Sequence, residues 1–283
     1  MGCNSRRKPE WLKIKLPKGQ LSVEVLNIVR EHHLHTICTS GMCPNQGECW
    51  GCGTATFMIG GNICTRNCRF CNVTTGKPFP LDPEEARNIA NSVKLLGLKH
   101  VVITSVDRDD LEDLGAAHWV KVIRAVKEMN PSVTMEVLIP DFQGRSELVE
   151  QIIGAKPEVI SHNLETVRRL TKDIRSRATY EMSLQVVRQI AASGTVAKSG
   201  IMLGLGETRE EILETMDDLR SAGCSVMTIG QYLQPTAANV EVKEYIQPET
   251  FEEYHQIGLQ KGFKHVESGP LVRSSYHAEK HIK

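Results

Sequence analysis

The sequence lacks the features that mark membrane proteins, nucleic-acid-binding proteins and exported proteins. No apolar run approaches the ~18 residues needed to cross a bilayer. The formal net charge is zero and no long basic run is present, so binding to nucleic acid is not expected. The N-terminus has no apolar signal core. We therefore expect a cytoplasmic chain that associates with neither membrane nor nucleic acid.

Cysteine is scarce along most of the chain, and this distribution excludes a disulfide scaffold. Residues 72–283 contain one cysteine, Cys224, whereas seven of the nine cysteines lie between residues 38 and 71. The cysteines of disulfide-rich secreted proteins are instead spread over a small domain. Local clustering and an odd total indicate metal ligation in a reducing compartment.

The order of apolar segments predicts an α/β fold. Continuous apolar runs alternate with segments of helical periodicity, which is typical of repeated βαβ units. Strands are predicted at residues 54–59, 101–105, 134–139, 159–163, 198–203 and 226–232. Because eight such units close a full barrel, six predict a partial (β/α)6 TIM-like barrel.

This pattern divides the chain into three parts. Residues 1–53 form an N-terminal extension that contains a cysteine loop, and residues 54–235 form the barrel. Residues 236–283 form a C-terminal extension with helix signals at Pro248–Gln260. The segment from Gly269 to Ala278 has no regular period. We expect both extensions to cover the barrel mouth.

The first group of thiols is Cys64, Cys68 and Cys71, with gaps of three and two residues. This spacing suits one turning loop that points its sulfurs inward. Thiolates select soft metals such as zinc, copper(I) or an iron–sulfur cluster. A four-iron cluster usually takes four cysteines. A cluster held by three would leave one iron open to a small-molecule ligand.

The second group of thiols is Cys38, Cys43 and Cys49, with gaps of four and five residues. Gly and Pro residues between them predict a loop rather than a helix. A zinc site is an alternative, because Cys49 and Cys52 are spaced like half of a zinc knuckle. Cys52 belongs to neither group, and we interpret it as a buried or bystander thiol, with an alternate ligand as the other interpretation.

Polar side chains follow the predicted strands at the ends where parallel barrels carry their chemistry. Thr104 and Ser105 end one strand and precede an acidic cluster at residues 107–110. That cluster could bind a metal, although capping a helix or holding a basic partner is the commoner role. His162 follows another strand and, on its own, is more often a satisfied core histidine than a ligand. Arg175 and Arg177 are either a carboxylate clamp or surface arginines.

The motifs together resemble those of the radical S-adenosylmethionine (AdoMet) superfamily and, within it, the lipoyl synthase family. The resemblance covers roughly residues 36–278. It is carried by both cysteine groups and by the segments TSVDRDDLEDLG, HNLETV, GIMLGLGET and VRSSYHA. In this family Gly51-Cys52 is more often Ser-Arg, so Cys52 departs from the pattern.

The resemblance implies two [4Fe–4S] clusters and bound AdoMet. The first thiol group would hold the cluster whose open iron chelates AdoMet. The second would hold an auxiliary cluster, with Ser275 as its fourth ligand and Ser274 as the alternative. The residues implied to contact AdoMet are Thr104, Ser105, Asn163, Glu165 and Arg175.

The implied reaction inserts sulfur at C6 and C8 of an octanoyl chain carried on a lysine of a lipoyl carrier domain. The carriers are E2 subunits of 2-oxoacid dehydrogenases and the glycine cleavage H protein. Ferredoxin or flavodoxin would be the reductant, an iron–sulfur donor would rebuild the auxiliary cluster, and a monomer is expected. Two alternatives differ in class: another radical AdoMet enzyme with an auxiliary cluster, and a non-catalytic two-cluster electron carrier.

Overall fold

The computed structural model describes most of the chain from residue 34 onward, together with two short stretches before it. The described residues are 8–13, 27–28, 34–43, 45–46, 49 and 56–282. Cys52 lies outside them, so its predicted role as a bystander is not assessed.

The core of the fold is an eight-stranded sheet in the order β1-β2-β5-β6-β7-β8-β9-β10. All its pairings are parallel except that of β1 with β2. Its strands are β1 (His35–Thr36), β2 (Thr56–Ile59), β5 (His100–Ser105), β6 (Thr134–Leu138), β7 (Val159–Ser161), β8 (Val196–Leu203), β9 (Val226–Gln231) and β10 (His265–Gly269). A small parallel pair, β3 (Ile63–Cys64) and β4 (Thr74–Thr75), flanks the first cysteine loop.

Most of the helices cover the outer face of this sheet, whereas the first, which contains Ile37, contributes to a cavity at the carboxyl ends of the strands. The helices are α1 (Ile37–Ser40), α2 (Glu85–Leu95), α3 (Ala116–Met129), α4 (Ser146–Gly154), α5 (Arg168–Ile174), α6 (Tyr180–Ala192), α7 (Arg209–Ser221) and α8 (Pro248–Gln260). Short 3-10 helices lie at Glu10–Leu12, Phe142–Gly144 and Ala278–Ile282. Within the described part of the chain, no helix is both long enough and apolar enough to cross a bilayer.

The alternation of side chains along the strands explains how helices and strands pack in one apolar core. Outward-facing strand residues such as Phe57, Ile103 and Val137 are fully buried in the same apolar cluster as Ile123 of α3. Alternate residues of a strand point to opposite faces, so the other half of each strand faces the barrel interior. Thr208 begins α7 through a capping box with Glu211, which satisfies two backbone N–H groups.

The predicted fold class is confirmed, with two additions. All six predicted strands are present within two residues of their predicted bounds. The sequence analysis missed β1 because two residues carry no periodicity. It missed β10 because the sequence His-Val-Glu-Ser-Gly contains one large apolar residue and takes its strand geometry from pairing with β9.

Candidate active site

A cavity of about 390 Å³ opens at the carboxyl ends of the parallel strands. Met58, Leu138 and Met202 contribute apolar side chains to it from β2, β6 and β8. Because parallel strands place their carboxyl ends at the same edge, residues distant in sequence meet here. The first cysteine loop and the C-terminal segment also line this cavity.

The three thiols of the first group lie in this cavity wall as free cysteines. The Cys64 sulfur accepts backbone N–H groups from Arg66 at 3.4 Å and from Asp107 at 3.3 Å. The Cys71 sulfur accepts the N–H of Val73 at 3.4 Å. Burial raises the pKa of Cys64 to about 12 and that of Cys71 to about 11. Ligation by a cation is what would deprotonate such thiols at neutral pH.

Arg66 fixes the position of this loop. Its guanidinium donates to Asp109 at 2.8 and 2.9 Å and to Asp141 at 2.7 and 2.8 Å, so that both pairs are bidentate. Asp107 Oδ1 lies 3.3 Å from Arg66 Nη1. Burial acts to raise the pKa of Asp141, but the Arg66 hydrogen bonds prevail and lower it to about 2. The acidic cluster therefore holds a basic partner, which was the commoner of the expected roles.

Thr104 and Ser105, predicted to contact AdoMet, both line the cavity at the end of β5. The Thr104 hydroxyl donates to the carbonyl of Leu138 at 3.2 Å. The Ser105 hydroxyl is buried and has no hydrogen-bond partner among the described residues. A buried hydroxyl without a partner is costly, and it is a common feature of a ligand site.

Asn163, Glu165 and Arg175 line the same cavity. Among the described residues, Asn163 Oδ1 and Arg175 Nε are buried without partners, so one acceptor and one donor remain available. Glu165 has a φ of 68°, a left-handed conformation held by hydrogen bonds to Gly200 and Met202 of β8. Burial raises the pKa of this carboxyl. Strained backbone of this kind is concentrated at functional sites.

The remaining polar candidates divide into satisfied and exposed residues. His162 is a satisfied core histidine, as expected: its ring nitrogens lie 2.9 Å from the Ile139 carbonyl and 3.0 Å from the Ser183 hydroxyl. Burial lowers its pKa to about 4. Arg177 is largely exposed and lies 3.6 Å from Asp109, whereas Arg175 turns inward to Ser183 at 2.8 Å. The two arginines therefore do not form a common clamp.

The second thiol group lies beside the C-terminal segment. Cys38 is buried, and Cys43 and Cys49 are half-buried. Asn45, between them, donates to the carbonyl of Leu271 at 2.7 Å. Burial lowers the pKa of Arg273, an effect that the neighbouring Cys43 partly offsets. Cys43 and Asn45 thus lie beside Arg273 and Leu271 although they are more than 220 positions away in sequence.

The two candidate serines differ in position. Ser274 lines the cavity together with Arg273, and Ser275 is not among the lining residues. The assignment of the ligand to Ser275 stays a prediction. Among the residues described, no three His, Cys, Asp or Glu side chains are close enough to hold a single metal ion.

Sequence reasoning missed two residues of the site. It did not connect Arg66 with Asp141, because pairing across 75 positions requires the barrel topology. It also missed Gln231, whose amide donates to the carbonyls of Leu203 and Glu244 at 3.0 Å and fixes the loop after β9. Their positions could have indicated both residues, since Gln231 ends β9 and Asp141 follows the carboxyl end of β6.

Comparison with known proteins identifies the class. The radical SAM superfamily matches residues 58–219, which is more than half of the chain. A methylornithine synthase structure aligns with a TM-score of 0.58 at 13% identity, covering 88% of this chain and 82% of that one. Streptococcus suis SuiB, in a structure bound to S-adenosylmethionine, aligns with a TM-score of 0.61 over 79% of this chain and 54% of its own. At this identity the structures support the fold alone.

Sequence relatives identify the family within that class. A lipoyl synthase of Treponema denticola is 73% identical over 100% of this chain and 97% of its own length. A lipoyl synthase of Parabacteroides distasonis is 65% identical over 98% of both chains. The chain therefore belongs to the lipoyl synthase family of radical AdoMet enzymes. It is a sulfurtransferase that inserts two sulfur atoms into the octanoyl chain of a carrier protein, with [4Fe–4S] clusters and AdoMet as cofactors.

Proposed function

We propose that Cys64, Cys68 and Cys71 hold the cluster that binds AdoMet and that the second thiol group holds the auxiliary cluster. One observation carries this proposal: a single cavity has both loops in its wall. The first loop contributes its three thiols, and the second contributes Gly41 and Met42, next to Cys43. A substrate chain in this cavity would reach both loops at once.

The residues present fit AdoMet. Its amino and carboxylate groups need an acceptor and donors, and the cavity offers the unpartnered Asn163 Oδ1, Ser105 hydroxyl and Arg175 Nε. Thr104 and Glu165 complete the proposed contact set. Since a buried polar atom without a partner costs about 1–3 kcal/mol, ligand contacts at these three atoms would recover that energy.

Bound AdoMet, on one-electron reduction by the cluster, supplies the radical that removes hydrogen from an unactivated carbon. The chain's own residues would orient and protect that chemistry. Arg66 holds the thiol loop against β5 and β6 through its carboxylate partners. Apolar side chains such as Met58, Leu138 and Met202 line the space for the alkyl chain and keep water from it.

The fourth ligand of the auxiliary cluster would come from the C-terminal segment, as Ser275 or its neighbour Ser274. Contact of Asn45 with Leu271 brings this segment to the second thiol loop. Ser274 lines the cavity and Ser275 does not, but Cys38, Cys43 and Cys49 do not line it either, so Ser275 stays the proposed ligand with Ser274 as the alternative. A serine oxygen binds iron less firmly than a thiolate, which suits a cluster that gives up its sulfide.

We further propose the division into an N-terminal extension (1–53), a barrel (54–235) and a C-terminal extension (236–283). The antiparallel edge strand from the first part and β10 from the third support it. Carrier domains of E2 subunits and the glycine cleavage H protein are the proposed substrates, and ferredoxin or flavodoxin the reductant. The clusters need reduced thiols, which supports a cytoplasmic location. A monomer whose auxiliary cluster is rebuilt by an iron–sulfur donor completes the proposal.

The direct test is an anaerobic assay of the reconstituted protein with AdoMet, dithionite and an octanoyl-lysine peptide. We expect about eight irons per chain, 5′-deoxyadenosine and a 6-thio-octanoyl product. AdoMet cleavage without thiolated peptide would favour another radical AdoMet enzyme. Two clusters without AdoMet cleavage would favour an electron carrier.

The serine assignment has its own test. Ser274→Ala and Ser275→Ala are compared in the same assay for 5′-deoxyadenosine and thiolated product. The ligand's replacement should remove product while cleavage continues, and the other serine's replacement should leave both near normal. Full product in both variants would refute a serine ligand.

A further inference from the structure

The interior of the barrel has a second polar cluster, below the cavity. Leu138 and Met202 line the cavity. Glu136 lies two residues before Leu138 and Lys198 four residues before Met202, so both point to the same interior face of the sheet. Their side chains have no solvent exposure. They form an ion pair at the base of the barrel, with Lys198 Nζ 2.7 and 2.8 Å from the two Glu136 oxygens.

The C-terminal segment reaches this base. His281 lies in the last 3-10 helix, and its side chain is as fully buried as those of the ion pair. Its Nδ1 lies 3.1 Å from Lys198 Nζ and 3.8 Å from Glu136 Oε2. Its ring packs on that of His265, at the start of β10, with 4.6 Å between centroids. Residues 270–282 therefore run from the barrel mouth to its base.

Hydrogen-bond counting shows that Lys198 needs His281. A lysine ammonium has three donors, and two of them are taken by Glu136. Among the described residues, His281 Nδ1 lies 3.1 Å from Lys198 Nζ and can accept the third in its unprotonated form. Without it, a buried charged N–H would have no partner, which is strongly unfavourable. In that role Nδ1 is unprotonated and the ring hydrogen is on Nε2, which is buried and has no hydrogen-bond partner among the described residues.

The upper end of the segment is fitted closely to the barrel wall. Gly230 of β9 faces the Val272 carbonyl oxygen so closely that a methyl group there would overlap it. Asn45 binds the Leu271 carbonyl at 2.7 Å, and His277 lies 2.7 Å from Glu267 of β10. Between these contacts stand Arg273 and Ser274 at the cavity. The segment is thus held at both ends, with the serines seven and six residues before the base anchor.

We propose that His281 is a positioning residue for the auxiliary cluster. Its bond to the Lys198–Glu136 pair anchors residues 270–282 inside the barrel, and this anchor keeps the ligand serine at the cavity. The inference rests on the proposed serine ligation. Under this proposal the buried Lys198–Glu136 pair serves the reaction by holding His281, although in the described structure it contacts neither thiol group.

The first test measures anchoring without any cluster. Hydrogen exchange of the peptide spanning residues 270–282 is followed in cluster-free protein for His281→Ala, His281→Asn and Lys280→Ala. Exchange should accelerate about tenfold or more in His281→Ala, because a buried hydrogen bond to a charge is lost. Asn supplies an acceptor near the Nδ1 position and should restore protection. Lys280 is exposed, so Lys280→Ala should resemble the parent.

A second variant covers the case in which His281→Ala fails to fold. The double substitution Glu136→Met with Lys198→Met replaces the pair by apolar side chains of similar volume, which is often neutral for the stability of a buried pair. It should accelerate exchange in residues 270–282 to a similar extent. Unchanged exchange in His281→Ala, or in the double variant if His281→Ala does not fold, would overturn the anchor.

The second test measures ligand positioning. In a chain whose Cys64, Cys68 and Cys71 are replaced by Ala, the auxiliary cluster is the remaining one, and an iron(II) chelator removes its weakest iron anaerobically. His281→Ala should speed this removal several-fold, and His281→Asn should not. Ser274→Ala and Ser275→Ala serve as references in the same background. If a serine variant speeds removal and His281→Ala does not, the positioning role is wrong; if neither serine variant does, the proposed ligation itself is wrong.

Discussion

Arg66 shows how one side chain can determine the geometry of the first thiol loop. It is 4% exposed and forms two bidentate pairs, with Asp109 and Asp141, on loops that follow different strands. Bidentate guanidinium–carboxylate pairs fix direction as well as distance. The thiols on either side of Arg66 in sequence are therefore held at the cavity before any cluster binds.

Replacing Arg66 should destabilise the folded chain strongly. Arg66→Ala leaves two buried carboxylates without their partner, for which about 3–5 kcal/mol is typical. Arg66→Lys should lose less, because it keeps the charge but not the paired geometry. Urea unfolding of cluster-free protein measures both. Arg69→Ala, an exposed arginine of the same loop, is the control and should stay within about 0.5 kcal/mol of the parent. Equal effects at the two positions would contradict this role of Arg66.

Gly200 sets the space next to Asn163. A methyl group at Gly200 would overlap the Thr228 hydroxyl and lie 3.3 Å from Asn163 Oδ1. Gly200→Ala should therefore displace Asn163 and weaken AdoMet binding by about tenfold, as expected for 1–3 kcal/mol of overpacking. Equilibrium dialysis of cluster-loaded protein gives the dissociation constant. Gly154→Ala meets no atom within 4 Å and should bind AdoMet normally. Parent affinity in Gly200→Ala would argue against Asn163 as an AdoMet ligand.

At the scale of elements, the sequence predicted the barrel strands because their apolar runs are long and buried on both faces. It did not predict β10, where His265 and Glu267 alternate with a single Val. Val266 packs in the main apolar cluster, whereas His265 and Glu267, on the other face, contact His281 and His277 of the C-terminal segment. Local composition cannot reveal a strand whose interior face is covered by a polar segment later in the chain.

The fit between β9 and the C-terminal segment gives a prediction at this scale. Gly230→Ala would force the Val272 carbonyl away from the strand. We expect the segment to shift as a unit, so that thiolated product falls at least tenfold while AdoMet cleavage is retained. Measuring 5′-deoxyadenosine and product in one reaction separates the two. Gly154→Ala is again the matched control. Loss of cleavage along with product would mean that the AdoMet site also depends on this contact.

At the scale of the whole molecule, two cysteine loops and a distant C-terminal segment meet around one cavity. The first three thiols and all five predicted AdoMet contacts line the cavity, whereas Cys38, Cys43, Cys49 and Ser275 do not, and the roles of all these residues stay predictions. Cysteine spacing and motif resemblance could not separate Ser274 from Ser275, because adjacent residues differ only in the direction of their side chains. They also could not predict the Lys198–Glu136–His281 cluster, whose members lie up to 145 positions apart and are brought together by barrel topology.

The central claim is that the two thiol groups hold separate clusters with separate tasks. It is tested most directly by comparing Cys68→Ala and Cys43→Ala in one anaerobic reaction with AdoMet, dithionite and octanoyl-lysine peptide. Cys68→Ala should abolish 5′-deoxyadenosine while the auxiliary cluster, with about four irons, still assembles. Cys43→Ala should still form 5′-deoxyadenosine but yield no 6-thio-octanoyl peptide. Thiolated peptide from Cys43→Ala would show that the sulfur comes from elsewhere and would contradict the account.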